Sequence, residues 1–314
     1  MMKKEIKLLM LSFLALVLTG FLPVVSSAVA ESVTIGGPWP GGELNFLSSK
    51  NPLMLLIKRA VTGTLTEKKK VAVNGELPYK LSLADRLIVS PDYRVWSFRA
   101  RPLIRFNNGQ EVLAEDLEFS LKRCLPGLAG QMLESVKGRS LINSSGIREQ
   151  WVDIKLAKSP KLLEISTNIP VLISYCPIME AESSRLFGSY LGYGTNIIST
   201  GNYLIAGFRS GRDFALHTGP LAELGRKNFV SDLHLRGFRD PRQGLTALRL
   251  GSVDMLFTED SEVLKLARTD PTLSVDGCRI ISTEGELNYR FVKRKGFRFI
   301  CSPDFDLSAI GYSG

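Results

Sequence analysis

The sequence is short of the residues that most often carry catalysis. Of 314 residues only two are histidine, His217 and His234, and only four are cysteine. There is no HExxH, no CxxC and no G-x-S-x-G. These absences remove the zinc-protease, thiol-redox and nucleophile-elbow patterns. Gly192, Gly194 and Gly201 lack the strand and helix context of a phosphate loop. No repeat, low-complexity tract or linker rich in Pro, Gly or Ser is present. Beyond the N-terminal segment no apolar run is long enough to cross a bilayer. The expectation is a protein with no catalytic residues, no metal and no cofactor.

What remains is a globular composition, 44% hydrophobic and 23% charged, on a chain long enough for two domains. The formal net charge is +9, of which Lys3, Lys4 and Lys7 against Glu5 supply two. The rest is spread along the chain. Spread charge favours solubility and does not by itself imply nucleic acid. The interleaved segment Asn288 to Phe299 sets Tyr289, Phe291, Phe297 and Phe299 among Arg290, Lys293, Arg294, Lys295 and Arg298. It reads as an amphipathic edge strand and turn whose charges discourage edge pairing, and not as a nucleic-acid surface.

The N-terminus has the order of an export signal. A basic start is followed by an apolar run from Leu8 to Val25 and then by Ala28-Val29-Ala30. The expectation is cleavage after Ala30 and a location in the periplasm; an uncleaved anchor is the alternative. Export permits disulfides, so Cys124, Cys176, Cys278 and Cys301 are read either as bonded pairs or as buried thiols.

Helices and strands mix throughout, so the fold class is α/β, or α+β mixed. Helical spacing marks Leu53 to Val61, Leu113 to Cys124 and Arg242 to Gly251. Glu115, Asp116 and Glu118 read as a solvated helix start. Period-two alternation marks Trp96, Phe98 and Ala100 as the inward face of a strand, bounded by turns at Asp92 and at Asn107-Asn108-Gly109. Trp151 to Leu156, Leu162 to Ile165, the pair Asn202 to Phe208 and Arg212 to Thr218, Leu233 to Leu235 and Ser252 to Phe257 read as further strands. Ile169 to Ile178 reads as a buried connection, and both histidines fall within strands.

Several short pieces stand in a telling order. Leu83-Ala84, Ser90-Pro91-Asp92, Trp96-Ser97-Phe98, Arg101, Phe106, Gly109 and Ala114-Glu115-Asp116 are followed by Thr200-Gly201-Asn202-Tyr203 and Gly251-Ser252-Val253-Asp254-Met255. Together they resemble the signature of family 5 of the extracytoplasmic solute-binding proteins, which bind oligopeptides or dipeptides for ABC importers. The resemblance runs from about Ile35 to Phe257. Leu103 stands where the family usually has Gly, and Leu113 where it has a helix-capping Thr. The chain is also C-terminally short for that family.

The resemblance implies a clamshell like the type II periplasmic binding proteins: a first lobe, an inserted subdomain and a second lobe that is largely missing. The expected division is a signal at 1–30, a first lobe at 31–60 and 156–260, the subdomain at 61–155, and a remnant of the second lobe at 261–314. It implies a non-catalytic monomer that takes a peptide or other small solute and passes it to an ABC permease in the cytoplasmic membrane. The candidate ligand-binding residues are Asn45, Phe46 and Ser48, after the first strand, and the aromatics Tyr175 and Tyr193. The rival readings are a relic or regulatory interaction module that no longer captures solute, and a secreted enzyme, against which the missing constellations argue.

Overall fold

The computed structural model describes residues 32–41, 49–69, 77–159, 168–187, 197–209, 213–219, 230–282, 285–299 and 311–312. The expected strand at 162–165 lies outside them, as does the leader. No helix among the described residues is long and apolar enough to cross a membrane.

Among the described residues the chain builds two large sheets, each with its own core, and two short strand pairs. In the larger, β1 (Ser32–Pro38) is central and runs parallel to β10 (Asp232–Phe238) on one side and β11 (Met255–Phe257) on the other. A strand flanked on both sides and covered on both faces reads as a continuous apolar run, and Val33 and Ile35 are fully buried. The sheet is completed by β8 (Tyr203–Arg209) and β9 (Asp213–Thr218) at one end and by β12 (Leu273–Ser282) and β13 (Gly285–Arg294) at the other. The order is β12-β13-β11-β1-β10-β9-β8.

One face of this sheet takes α1 (Pro52–Val61), whose Leu53, Met54, Leu56 and Ile57 pack with Tyr203, Phe214, Leu233 and Leu235. The other face takes α5 (Pro241–Arg249) and α6 (Ser261–Arg268) through Leu245, Leu248, Val263 and Leu264, which meet Leu256 and Val292.

The smaller sheet has the order β4-β5-β7-β6, from β4 (Ala84–Val89), β5 (Val95–Ala100), β7 (Arg148–Leu156) and β6 (Leu133–Ile142). Helix α2 (Ala114–Ala129) lies across β6 and β7. Trp96 at 2% and Phe98 at 0% exposure fill the core between them, as the alternation requires. The turns also form as expected: Asp92 Oδ1 accepts from the Arg94 amide at 3.2 Å, and Gly109 has φ +86°. A short pair, β2 (Thr66–Lys68) with β3 (Tyr79–Leu81), leads into this sheet. The segment expected as a buried connection contains a helix, α3 (Asn168–Ile173), and α4 (Ala181–Phe187) follows it.

The strap at Ile197–Gly201 joins the two sheets. Asn107 donates from its amide to Ser199 O at 3.0 Å and from Nδ2 to Ile197 O at 3.0 Å, while Gly201 N donates to Val61 O at 3.1 Å. A Cβ at Gly201 would lie 2.0 Å from Val61 C, so only glycine lets the strap pass.

Three expectations need correction. Asp116 is not solvated: it is 6% exposed, and its carboxylate accepts from Leu113 N and Ala181 N, both at 2.8 Å. It thus supplies the turn that Leu113 cannot cap, and Gln150 Oε1 accepts from Ala114 N at 3.0 Å beside it. Burial pushes the Asp116 carboxyl above the usual aspartate range.

Second, the basic and aromatic segment is not at an edge, because β13 is paired by β11 on one side and β12 on the other. Its cations meet carboxylates, Arg290 with Glu259 at 3.3 Å and Lys293 with Asp276 at 3.2 Å. Phe291, Phe297 and Phe299 are buried. Third, the thiol reading fails: Cys124 on α2 is bonded to Cys176 after α3, and Cys278 is disulfide-bonded as well.

Candidate functional site at the strand ends

The three parallel strands all end on one side of the larger sheet. The connection β10–α5–β11 crosses from one flank of β1 to the other. This makes β1 the point at which the direction of connection reverses. In open α/β sheets such a point opens a crevice at the carboxyl ends, where ligands bind.

The local sequence puts a helix start behind each of these ends. After β1, Asn51 caps α1 by accepting from Leu53 N at 2.9 Å, and its Nδ2 donates to Pro38 O at 2.9 Å, pinning the helix to the strand end. After β10, Asp240 caps α5 through Arg242 N at 2.9 Å. After β11, Asp260 caps α6 through Val263 N at 2.9 Å. Each cap satisfies part of the amides at its helix start, and at α5 and α6 the cap is itself a carboxylate, which offsets the positive end of the helix.

Trp39 continues from β1, and its amide donates to Phe238 O at 2.9 Å. The Arg239 guanidinium lies 4.8 Å from the centre of the Trp39 ring, a cation–π distance. Beyond β11, Thr258 N donates to Arg290 O at 3.0 Å, and the Glu259 carboxylate accepts from Arg290 N at 2.7 Å. The Tyr289 hydroxyl donates to Lys50 O, closing β13 against the entry to α1. Burial, helped by the negative charge of Glu259, pushes the Tyr289 phenol up to about 12. It therefore remains a neutral hydrogen-bonding group at physiological pH. The Asp254 carboxylate accepts from Thr34 N at 2.9 Å, and Asp254 N donates to Thr34 O at 2.8 Å. This aspartate of the Gly-Ser-Val-Asp-Met motif fastens the lead of β11 to β1.

The arrangement offers flat aromatic surfaces, a guanidinium, a carboxylate and helix starts around strand ends. It is suited to holding a ligand by shape and hydrogen bonds. Among the described residues no group of three or more His, Cys, Asp or Glu could hold a metal ion.

Of the residues expected to bind ligand, Asn45, Phe46, Ser48 and Tyr193 lie outside the described residues. Tyr175 follows α3, and its amide donates to Leu172 O at 3.2 Å. Its neighbours Ile173 and Cys176 belong to the core of the smaller sheet. The sequence reading missed Trp39, Arg239, Glu259 and Tyr289. They follow or belong to β1, β10, β11 and β13, which only the sheet order brings together.

No family model matches the sequence, and no curated protein matches it. Solved structures do match the fold. The chain is similar to the PBP/SBP MoaA of A. tumefaciens R10 in complex with mannopinic acid, with TM-score 0.60 and 18% identity over 79% of this chain and 49% of that one. It is similar to the ABC transporter-associated periplasmic binding protein DppA of Helicobacter pylori in complex with peptide STSA, with TM-score 0.58 and 14% identity over 79% and 50%. The oligopeptide-binding protein AppA of Bacillus subtilis in complex with a nonapeptide matches with TM-score 0.58 and 17% identity over 80% and 48%. The mixed α/β fold of this chain is thus the periplasmic binding protein fold, and the chain spans about half the length of these structures.

Proposed function

We propose that this chain is the substrate-binding part of an ABC-type importer of short peptides, working outside the cytoplasmic membrane and performing no chemistry on its solute. The observation that carries the reading is the convergence of β1, β10 and β11 at one edge, with Trp39, Arg239, Glu259 and Tyr289 around their ends. Two of the matching folds hold peptides. A peptide presents two charged termini and a run of amides; the Arg239 guanidinium offers a cation to the carboxylate terminus, while the charge of Glu259 is already matched by Arg290. In this reading the larger sheet belongs to the first lobe and the smaller sheet, with α2 and α3, to the inserted subdomain; the segment 261–314, expected as a remnant of the second lobe, instead supplies α6, β12 and β13 to the larger sheet. Asn45, Phe46, Ser48, Tyr175 and Tyr193 are further proposed ligand contacts. The leader is removed after Ala30, the protein is a monomer, and its membrane partner is the importer's permease.

The test is a heteronuclear NMR titration of the protein with tri- to pentaalanine. Saturable shifts confined to Trp39, Arg239, Thr258 to Asp260 and Tyr289 are expected. A titration that leaves those resonances unmoved would overturn the reading.

A further inference from the structure

Near the carboxyl end of β10, the face of β8, β9 and β10 opposite α1 carries a depression of about 380 Å³. The strand registers explain it. Arg209 and Arg236 both stand opposite Asp213, so the three form one cross-strand row, Arg–Asp–Arg. In the next row Gly207 and His234 both stand opposite Ala215. Alternation along a strand puts both rows on the same face, while Phe214 and Leu235 point into the core. Gly207 and Ala215 have almost no side chain, so the second row leaves a gap, floored by backbone, between the charged row and the His234 imidazole.

The charges in the gap do not balance. Asp213 carries one negative charge, and its Oδ1 lies 3.4 Å from Arg236 Nε. That oxygen is buried and completes no hydrogen bond. Arg209 and Arg236 carry two positive charges, so the row keeps a net charge of +1. A guanidinium presents donors in a planar fork that matches two oxygens on one centre. The space is that of a small molecule.

We propose that this depression is a second binding site, for a small oxyanion, and specifically for an aliphatic carboxylate. Arg209 and Arg236 bind the carboxylate group, His234 contributes a ring N–H, and Gly207 and Ala215 make room for the aliphatic part. The site shares no residue with the strand-end cluster, so it stands or falls separately from the peptide reading.

Titration of the purified protein with succinate, and separately with inorganic phosphate, followed by heteronuclear NMR, tests the proposal. Succinate should produce saturable shifts at Ala215, His234 and Arg236. Arg236→Gln and Arg209→Gln should each weaken succinate binding at least about tenfold, the scale of losing one charge-assisted contact. Ala215→Leu keeps every charge but fills the gap, and should abolish binding while preserving the dispersed spectrum of the fold. Arg148→Gln, at an exposed arginine on the smaller sheet, should leave binding unchanged. Absence of saturable shifts, or equal binding in Ala215→Leu, would overturn the site. Phosphate binding as tight as succinate would overturn its assignment to carboxylates.

Discussion

Leu103 has φ +61° and is 74% exposed. A non-glycine residue in the left-handed region costs about 1–2 kcal/mol, and nothing in the core compensates a side chain that faces water. Glycine removes that strain but gives back about 0.5–1 kcal/mol of backbone entropy. Leu103→Gly should therefore raise unfolding stability by about 0.5–1 kcal/mol, whereas Leu103→Ala should gain nothing. Urea denaturation of the three proteins checks this, and equal midpoints for wild type and Leu103→Gly would reject it. Trp96 is the opposite case. It is buried, and its indole N–H donates to Tyr93 O at 3.0 Å. Trp96→Ala should cost about 3–5 kcal/mol; a denaturation midpoint unchanged in this variant would show that the ring fills no core.

At the scale of elements, the Cys124–Cys176 bond ties α2 to the turn after α3 across 52 residues of sequence. The closed loop includes β6, β7 and the strand pairing that completes the smaller sheet. Constraining a loop of that size in the unfolded chain is worth about 2–4 kcal/mol. The double variant Cys124→Ser, Cys176→Ser should lose stability on that scale without losing the larger sheet. Hydrogen exchange should show the loss in β4 to β7 first; uniform loss over both sheets would mean that they unfold as one unit. The elements were partly legible in the sequence. Period two exposed β5 and β7, and helical spacing exposed α1, α2 and α5, because each has one face in a core. The helix α3 was hidden because Pro170 lies within it and Pro177 follows it, in an apolar run whose length suits helix and strand alike. The interior place of β13 was hidden because its partners β11 and β12 are set by sheet order, and the charges that looked like edge protection are paired instead with Glu259 and Asp276.

At the scale of the whole molecule, acid should lower the protein's stability. The Ser90 hydroxyl holds Asp92 low, Lys122 holds Glu118 low, Lys155 holds Glu134 low and the Thr272 hydroxyl holds Asp270 low. A carboxyl lowered in the folded state contributes stability that is present above its unfolded value, about 4, and lost as pH falls through the folded one. Asp116, raised by burial, runs the other way: it binds its proton more tightly when folded, so its contribution falls as pH rises above about 4. The lowered groups outnumber it. Thermal melts from pH 6 to pH 2.5 should show a falling midpoint below about pH 4; a constant or rising midpoint would contradict the sign. By itself the sequence determined the short-range features: the period of the strands, the turns at Asp92 and Gly109, the helix faces, and the ordered motifs that resemble a solute-binding family. These depend on neighbours a few residues apart. Tertiary structure alone decided that β1 lies between β10 and β11, that Arg239, Glu259 and Tyr289 gather at its end, and that Arg209, Asp213 and Arg236 share a row. Those groupings depend on strand order and register across as many as 250 residues of sequence, and a sequence read along its length carries no period that reports them.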